Sequence, residues 1–225
     1  MTRMSLLALV FAIRLIARQQ ESELDRYSDT ARQAFAAKNW DEAARALEHL
    51  VRLAPAIPEV HANLGLAYYF EGRPGDALAS FERARKLKPQ LPQVEAMIGL
   101  SEADLGRCGE AINILAPVFQ HPPDEETSRV SGLHLLRCYS QLKQPARALA
   151  TGEMLIERFP NDPEILYQLS HLHAERSSDL MATLFRTTPD SAWTHYANAQ
   201  VQESLNQSDA AMQEYHHGHC HGGQM

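Results

Sequence analysis

The sequence predicts an all-α fold built from stacked pairs of helices, and a repeated alanine-centred pattern is the first reason. Four segments carry spaced apolar residues and end on a proline, with equivalent alanines at Ala43, Ala77, Ala111 and Ala148. The intervals between these alanines are 34, 34 and 37 residues. A period of this length is typical of units made of two helices and a turn. We therefore predict an α-solenoid, a right-handed superhelix of about five to six helix pairs.

Breaks between the predicted helices are the second reason. The stretches 72–75 and 106–109 each contain two glycines, which is typical of a helix end followed at once by a helix start. A proline closes each unit, because proline lacks the amide hydrogen that a continuing helix needs. The predicted helix pairs are 22–37 with 40–53, 57–71 with 74–87, 91–105 with 108–120, and 126–142 with 145–158.

These motifs resemble the tetratricopeptide-repeat family. The second unit matches that family's pattern nearly throughout, at Leu64, Gly65, Tyr68, Ala77, Phe81, Ala84 and Pro89. The third unit has Glu102 in place of the usual aromatic residue, and the fourth has Leu136 at the small position. The fifth unit is interpreted as a helix pair with a shortened turn, and the sixth as a pair whose second helix is barely two turns long. The resemblance covers residues 22–215, with repeats near 24–56, 57–90, 91–124, 128–161, 162–189 and 190–215.

The composition and the motifs of the chain exclude several classes of partner and of chemistry. A formal net charge of −7, with Lys and Arg scattered along the helices, argues against a nucleic-acid partner. The sequence has no phosphate-binding glycine loop, no G-x-S-x-G elbow and no H-E-x-x-H motif. We therefore expect a protein that is not an enzyme and holds no cofactor.

The family resemblance implies instead a scaffold that binds a protein or peptide along the concave face of the superhelix. In that family the first helix of each pair lines this face. An extended or helical peptide would dock apolar side chains there. Carried over position by position, the expected groove residues are Glu59, Ala62, Leu66, Tyr69, Phe70, Gln93, Ala96, Leu100, Arg137, Tyr167 and His171.

The first twenty residues differ from the rest. Arg3 precedes an apolar run from Met4 to Ile13, which Arg14 ends. A run of this length is too short to span a bilayer as a helix, but it fits the apolar region of a signal peptide. We interpret 1–20 as a signal peptide or a short membrane anchor, with a plain helical cap as the alternative. The chain is then exported, periplasmic or membrane-associated in a bacterium, with a cytoplasmic location as the alternative.

The last ten residues, 216–225, have no helical pattern and are predicted to be a disordered tail. An alternative function is metal binding, since imidazole and thiolate bind zinc, copper or nickel. A further alternative is the regulatory part of a larger enzyme. The last repeat carries no polar cap, so the tail, a second copy of the chain or the partner would cover it. The candidate metal ligands are His216, His217, His219, Cys220 and His221.

The spacing of the remaining cysteines, Cys108 and Cys138, fits neither a disulfide framework nor a CxxC metal-binding motif. They are interpreted as small buried apolar residues, and a disulfide between them stays open.

Overall fold

The structure is a computed structural model that describes residues 2–221, with side chains from 18 to 220 apart from Pro92. Every regular element among these residues is an α-helix, as the α-solenoid prediction requires. The chain divides into two compact units, Met1–Phe159 and Pro160–Met225. The helices are α1 Thr2–Ala36, α2 Trp40–Leu53, α3 Pro58–Phe70, α4 Pro74–Leu87, α5 Pro92–Asp104, α6 Cys108–Gln120, α7 Glu125–Gln141, α8 Pro145–Arg158, α9 Pro163–Thr187, α10 Ala192–Ser204 and α11 Ser208–His221.

The first unit contains four consecutive helix pairs, α1 to α8. Each helix packs on its neighbours in sequence, and α5 also contacts α3 and α7, the first helices of the adjacent pairs. Helices α2 to α8 lie within one residue of their predicted bounds. Helix α1 instead begins at Thr2 and includes the predicted targeting segment. No helix among the described residues is long and apolar enough to cross a membrane.

The turn inside each pair has the same backbone geometry in this unit. The second residue after the first helix is left-handed: φ is 54° at Lys38, 81° at Gly72, 75° at Gly106 and 54° at Lys143. At Gly72 the amide donates to the Tyr69 carbonyl at 3.0 Å, and the next amide donates to the Tyr68 carbonyl at 2.9 Å. This is the Schellman ending of a helix, which satisfies two carbonyl groups that would otherwise have no partner.

Glycines permit the close contact between the two helices of a pair. A Cβ atom on Gly65 would lie 2.6 Å from the Phe81 ring, and one on Gly99 would lie 2.6 Å from Leu115. In the fourth pair the equivalent residue is Gly132, whose Cβ would lie 2.5 Å from Leu155. The prediction that Leu136 takes this position is therefore wrong.

An extra helical turn in α7 explains that error. Helix α7 has 17 residues, whereas α3 and α5 have 13. Gly132 is the eighth residue of α7, as Gly65 is of α3 and Gly99 is of α5, so the additional residues follow it. Four residues make about one turn, so the apolar face is preserved across the insertion.

In the second unit, the predicted fifth helix pair is a single helix. Helix α9 runs without interruption for 25 residues. The expected turn is absent because no glycine or proline lies between Pro163 and Thr187, and Ser177-Ser178 is too weak a signal to end a helix. The prediction of a shortened turn is wrong. Among the described residues of this unit, α10 and α11 pair closely, whereas α9 makes few contacts with α10.

The prediction of a disordered tail is also wrong for residues 216–221, because α11 extends to His221. Gly218 is buried, and a Cβ atom there would lie 3.3 Å from the Ala192 carbonyl oxygen and 3.3 Å from the His195 Cβ. Packing of α11 on the start of α10 thus supports a helix that the sequence pattern alone does not predict. Residues 222–225 lie outside the described residues.

The two internal cysteines form a disulfide, Cys108–Cys138, which joins the start of α6 to the last turn of α7. Their Cα atoms are 5.0 Å apart, within the usual range for a disulfide. Both residues are buried, as the sequence predicts, but the interpretation as free apolar residues is wrong.

Candidate functional site

A groove of about 820 Å³ runs along one face of the first unit, between α3, α5 and the start of α7. It lies on the first helices of three consecutive pairs, where the family resemblance implies a binding surface. The predicted groove residues that line it are Glu59, Ala62, Leu66, Tyr69, Phe70, Gln93, Ala96 and Leu100. That they bind a partner stays a prediction.

The predicted residues differ in how much surface they offer. Ala96 and Leu100 are only 3% and 5% exposed, so they form the wall and belong to the core. Leu66 is half-buried, as is Met97, a lining residue that was not predicted, and Phe70 is 52% exposed. Of these residues, Phe70 offers the most exposed apolar surface.

Aromatic neighbours hold Phe70 in place although its ring is exposed. The Phe70 ring stacks on Trp40 with centroids 4.8 Å apart, and Tyr69 meets it edge-on at 5.7 Å. Trp40 in turn contacts Phe35 edge-on at 5.5 Å. An exposed ring fixed by such contacts loses little side-chain entropy when it binds, which suits an anchor for apolar groups.

A charged network lies beside the groove and joins three repeats. The Tyr69 hydroxyl donates a hydrogen bond to the Asp104 carboxylate. Arg137 donates to the same carboxylate at 2.7 Å, and His134 Nε2 lies 3.3 Å from it. Arg137, a predicted groove residue, thus does not line the groove. It contacts Asp104, which in turn binds the groove residue Tyr69.

This network shifts the pKa values of its members. Burial alone would raise the pKa of Asp104, but hydrogen bonds from His134, Arg137 and Tyr69 lower it to about 2. Burial, together with the charge of Asp104, raises the pKa of Tyr69 well above its usual value. Asp104 is therefore ionised and Tyr69 neutral at physiological pH.

Three carboxylates stand along the groove, on Glu59, Asp124 and Glu126. The pKa of Glu59 is lowered by hydrogen bonds from its own backbone and from Lys88, whose Nζ is 3.1 Å away. Asp124 caps α7 by accepting from the Thr127 amide at 2.7 Å, which lowers its pKa. No Lys or Arg is among the described residues that line the groove.

Sequence reasoning missed Glu126 and Thr127 because it placed the fourth repeat one turn out of register. Glu59 and Gln93 are each the second residue of their helix, and Glu126 is the second residue of α7. Gly132 was the available signal, since it stands as far from the helix start as Gly65 and Gly99 do. Aligning on this glycine would have placed Glu126 in the groove.

The other predicted site residues lie in the second unit. Tyr167 on α9 is 65% exposed, and the His171 ring lies 6.1 Å from it and 3.3 Å, by its Nδ1, from Glu175. Of the tail residues, His216, His217, His219 and Cys220 are exposed on α11, and the side chain of His221 lies outside the described residues. Their roles stay predictions.

Comparison with known proteins identifies the repeats in part of the chain. The family model described as tetratricopeptide repeat matches residues 28–92. No curated protein matches the sequence.

Solved structures share the fold over most of the chain. The structure of pilF from Pseudomonas aeruginosa is 18% identical with a TM-score of 0.57, covering 87% of this chain and 90% of that one. A crystal structure of the MamA protein is 15% identical with a TM-score of 0.55, covering 88% of this chain and 91% of that one. Identities this low show the fold alone. Residues 28–92 are therefore a tetratricopeptide-repeat segment, and most of the rest of the chain shares the all-helical fold of these solved structures.

Proposed function

We propose that this chain is a non-catalytic scaffold that binds a peptide segment of another protein in the groove between α3, α5 and α7. One observation carries the proposal: an apolar groove is bordered by three carboxylates, and no basic residue is among its described lining residues. A complementary segment has apolar side chains to fill the groove and Lys or Arg residues flanking them.

The apolar part of the interaction rests on Phe70, Leu66 and Met97. Phe70 is fixed against Trp40 and exposed, which is the arrangement expected of an energetically dominant contact. Leu66 and Met97 lie on adjacent helices, so together they present a continuous apolar strip.

The electrostatic part rests on carboxylates that stay charged at neutral pH. Hydrogen bonds lower the pKa of both Glu59 and Asp124. The Glu126 side chain is 74% exposed and lies 3.8 Å from Arg129, so a basic residue of the partner would compete with Arg129 for its charge, and salt would screen both interactions. Affinity should therefore decrease as the ionic strength increases.

Selection of a displayed random-peptide library on the full chain tests the proposal. We expect enriched peptides to combine apolar residues with Lys or Arg. Fluorescence anisotropy of the best peptide should show Phe70→Ala weakening binding about tenfold or more. The thermal midpoint of each variant is measured alongside, because Phe70 also contacts Trp40.

Glu126 has a matched control in its neighbour Glu125. Both lie in the first turn of α7, but only Glu126 lines the groove. We expect Glu126→Lys to weaken the peptide several-fold at low salt and Glu125→Lys to leave its affinity within about twofold. Equal affinities for wild type, Phe70→Ala and Glu126→Lys would place binding elsewhere on the chain and overturn the proposal.

An exported or membrane-associated location is a second part of the proposal. Arg3 and the apolar run from Met4 to Ile13 fit a targeting segment. The Cys108–Cys138 disulfide supports an oxidising compartment such as the periplasm. In a bacterium that expresses the full chain, we expect the protein in the periplasmic or membrane fraction, and Leu6→Asp with Leu9→Asp should retain it in the cytoplasm. Wild-type protein confined to the cytoplasm would contradict this part.

A further inference from the structure

Three metal-ligating side chains converge between the last two helices, α10 and α11. Glu214 and His217 are three residues apart on α11, so they lie on the same face of that helix. His195 on α10 faces them. One ligand atom from each residue lies within 4.8 Å of the other two.

Contacts already draw these groups together. His195 Nδ1 lies 2.7 Å from Glu214 Oε2, and the His195 and His217 rings are 5.6 Å apart. The His195 and Glu214 side chains are 16% and 28% exposed, so water competes weakly for them. His217 is exposed and leaves the cluster open on one side.

The backbone around the cluster is closely packed. Gly218, directly after His217, lies against the Ala192 carbonyl and the Cβ of His195. A larger residue there would push α11 away from α10. The cluster therefore depends on the part of α11 that the sequence pattern did not predict to be helical.

We propose that His195, Glu214 and His217 form a binding site for a divalent transition metal, with zinc as the best match. Two imidazoles and one carboxylate are a ligand set that zinc takes with water at the fourth position. Tetrahedral zinc, with bonds of about 2.0–2.2 Å, holds its ligand atoms about 3.3 Å apart. The His195 and Glu214 ligand atoms are 2.7 Å apart and no pair in the cluster exceeds 4.8 Å, so small rotations of the three side chains would give this spacing. The ion clips α11 onto α10.

This site differs from simple chelation by the histidine-rich end of the chain, because one ligand comes from another helix. His216 and His219 lie on other faces of α11 than Glu214 and His217, which follows from the helical period. Loss of His195, which is outside the tail, should therefore abolish tight binding. Loss of His216 and His219 should not.

Titration calorimetry of the metal-free full chain with zinc chloride at pH 7.5 tests this. We expect one zinc per chain, with affinity reduced tenfold or more in His195→Gln and in Glu214→Gln, and within about threefold of wild type in the double variant His216→Gln, His219→Gln. Substitution of cobalt(II) adds a structural readout. Wild type should show the intense visible absorption of a tetrahedral site, and the two ligand variants should lose it.

Glu214→Gln also guards against misfolding, since it keeps the side-chain length and a hydrogen-bond acceptor for His195. Circular dichroism of each metal-free variant establishes that the helices are intact. If His195→Gln and Glu214→Gln bind zinc as wild type does while the His216 and His219 variant loses it, the tail alone chelates the metal. That result, or a complete absence of binding in wild type, overturns the proposal.

Discussion

At the scale of single residues, left-handed positions define how each helix pair turns. Gly72 and Gly106 adopt them without cost, while Lys38, Lys143 and Asn206 adopt them at φ near 55°. A lysine in this conformation costs about 1 kcal/mol, because its Cβ approaches the following carbonyl, whereas asparagine tolerates it better. At Lys38 and Lys143, where the residue itself does not favour this conformation, we infer that packing of the two helices imposes the turn.

Gly72 and Gly75 provide a matched test of this cost. A Cβ atom would meet nothing within 4 Å at either position, but only Gly72 has a positive φ. We expect Gly72→Ala to lower the free energy of unfolding by about 1 kcal/mol. Gly75→Ala, in the first turn of α4, should raise it by about 0.5 kcal/mol. Urea denaturation measures both, and equal effects at the two sites would contradict the backbone explanation.

Asp104 stabilises the fold through its charge. Its pKa is about 2 in the folded chain and about 3.9 when unfolded, so its contribution is complete above about pH 5 and disappears as the pH decreases through 2. We expect Asp104→Asn to lower the free energy of unfolding at pH 7 by about 1 to 2 kcal/mol after solvent screening. The difference from wild type should vanish near pH 2.

A surface ion pair is the control for this experiment. Asp29 pairs with Arg32 at 2.9 Å, but both side chains are more than half exposed. Asp29→Asn should therefore change the free energy of unfolding by less than about 0.5 kcal/mol at pH 7. An Asp104→Asn effect that is independent of pH would show that packing, not charge, is lost.

At the scale of helices, the breaks of the first unit were predictable from sequence, but the register of α7 and the continuity of α9 were not. Proline and glycine act locally, so the ends of α3 to α6 follow from the residues themselves. The extra turn of α7 was hidden because it restores the apolar face. The continuity of α9 was missed because a turn was expected at the repeat spacing, although no glycine or proline interrupts the helix. Groove residues on α3 and α5 were therefore assigned, whereas those on α7 were misplaced.

The register of α7 can be tested at Gly132. Its Cβ position is 2.5 Å from Leu155 and 2.7 Å from Phe119, so a methyl group would force both side chains to move. We expect Gly132→Ala to lower the free energy of unfolding by about 1 to 3 kcal/mol. Gly109→Ala in α6, where nothing lies within 4 Å, should not destabilise the chain. A neutral Gly132→Ala would mean that α7 does not approach α8 at this residue.

At the scale of the whole molecule, covalent and binding features combine residues that are distant in sequence. Cys108 and Cys138 are separated by 30 residues, and only the packing of α6 against α7 brings them together. Helix packing likewise brings His195 close to His217, and Tyr69 close to Asp104. Sequence patterns report the local helix period, so such pairs emerge only once the register of every helix is known.

The disulfide should be visible in the stability of the whole chain. A crosslink that closes a loop of this length stabilises by about 2 to 4 kcal/mol, chiefly by restricting the unfolded chain. We expect Cys108→Ala with Cys138→Ala to lower the thermal midpoint of the oxidised protein, and dithiothreitol to lower that of wild type to the same level. Cys220→Ala, which removes the free exposed thiol, is the control and should respond to dithiothreitol as wild type does. A thermal midpoint of the oxidised wild type that dithiothreitol leaves unchanged would contradict this role of the disulfide. Because α7 forms one side of the groove, loss of the crosslink should also weaken peptide binding.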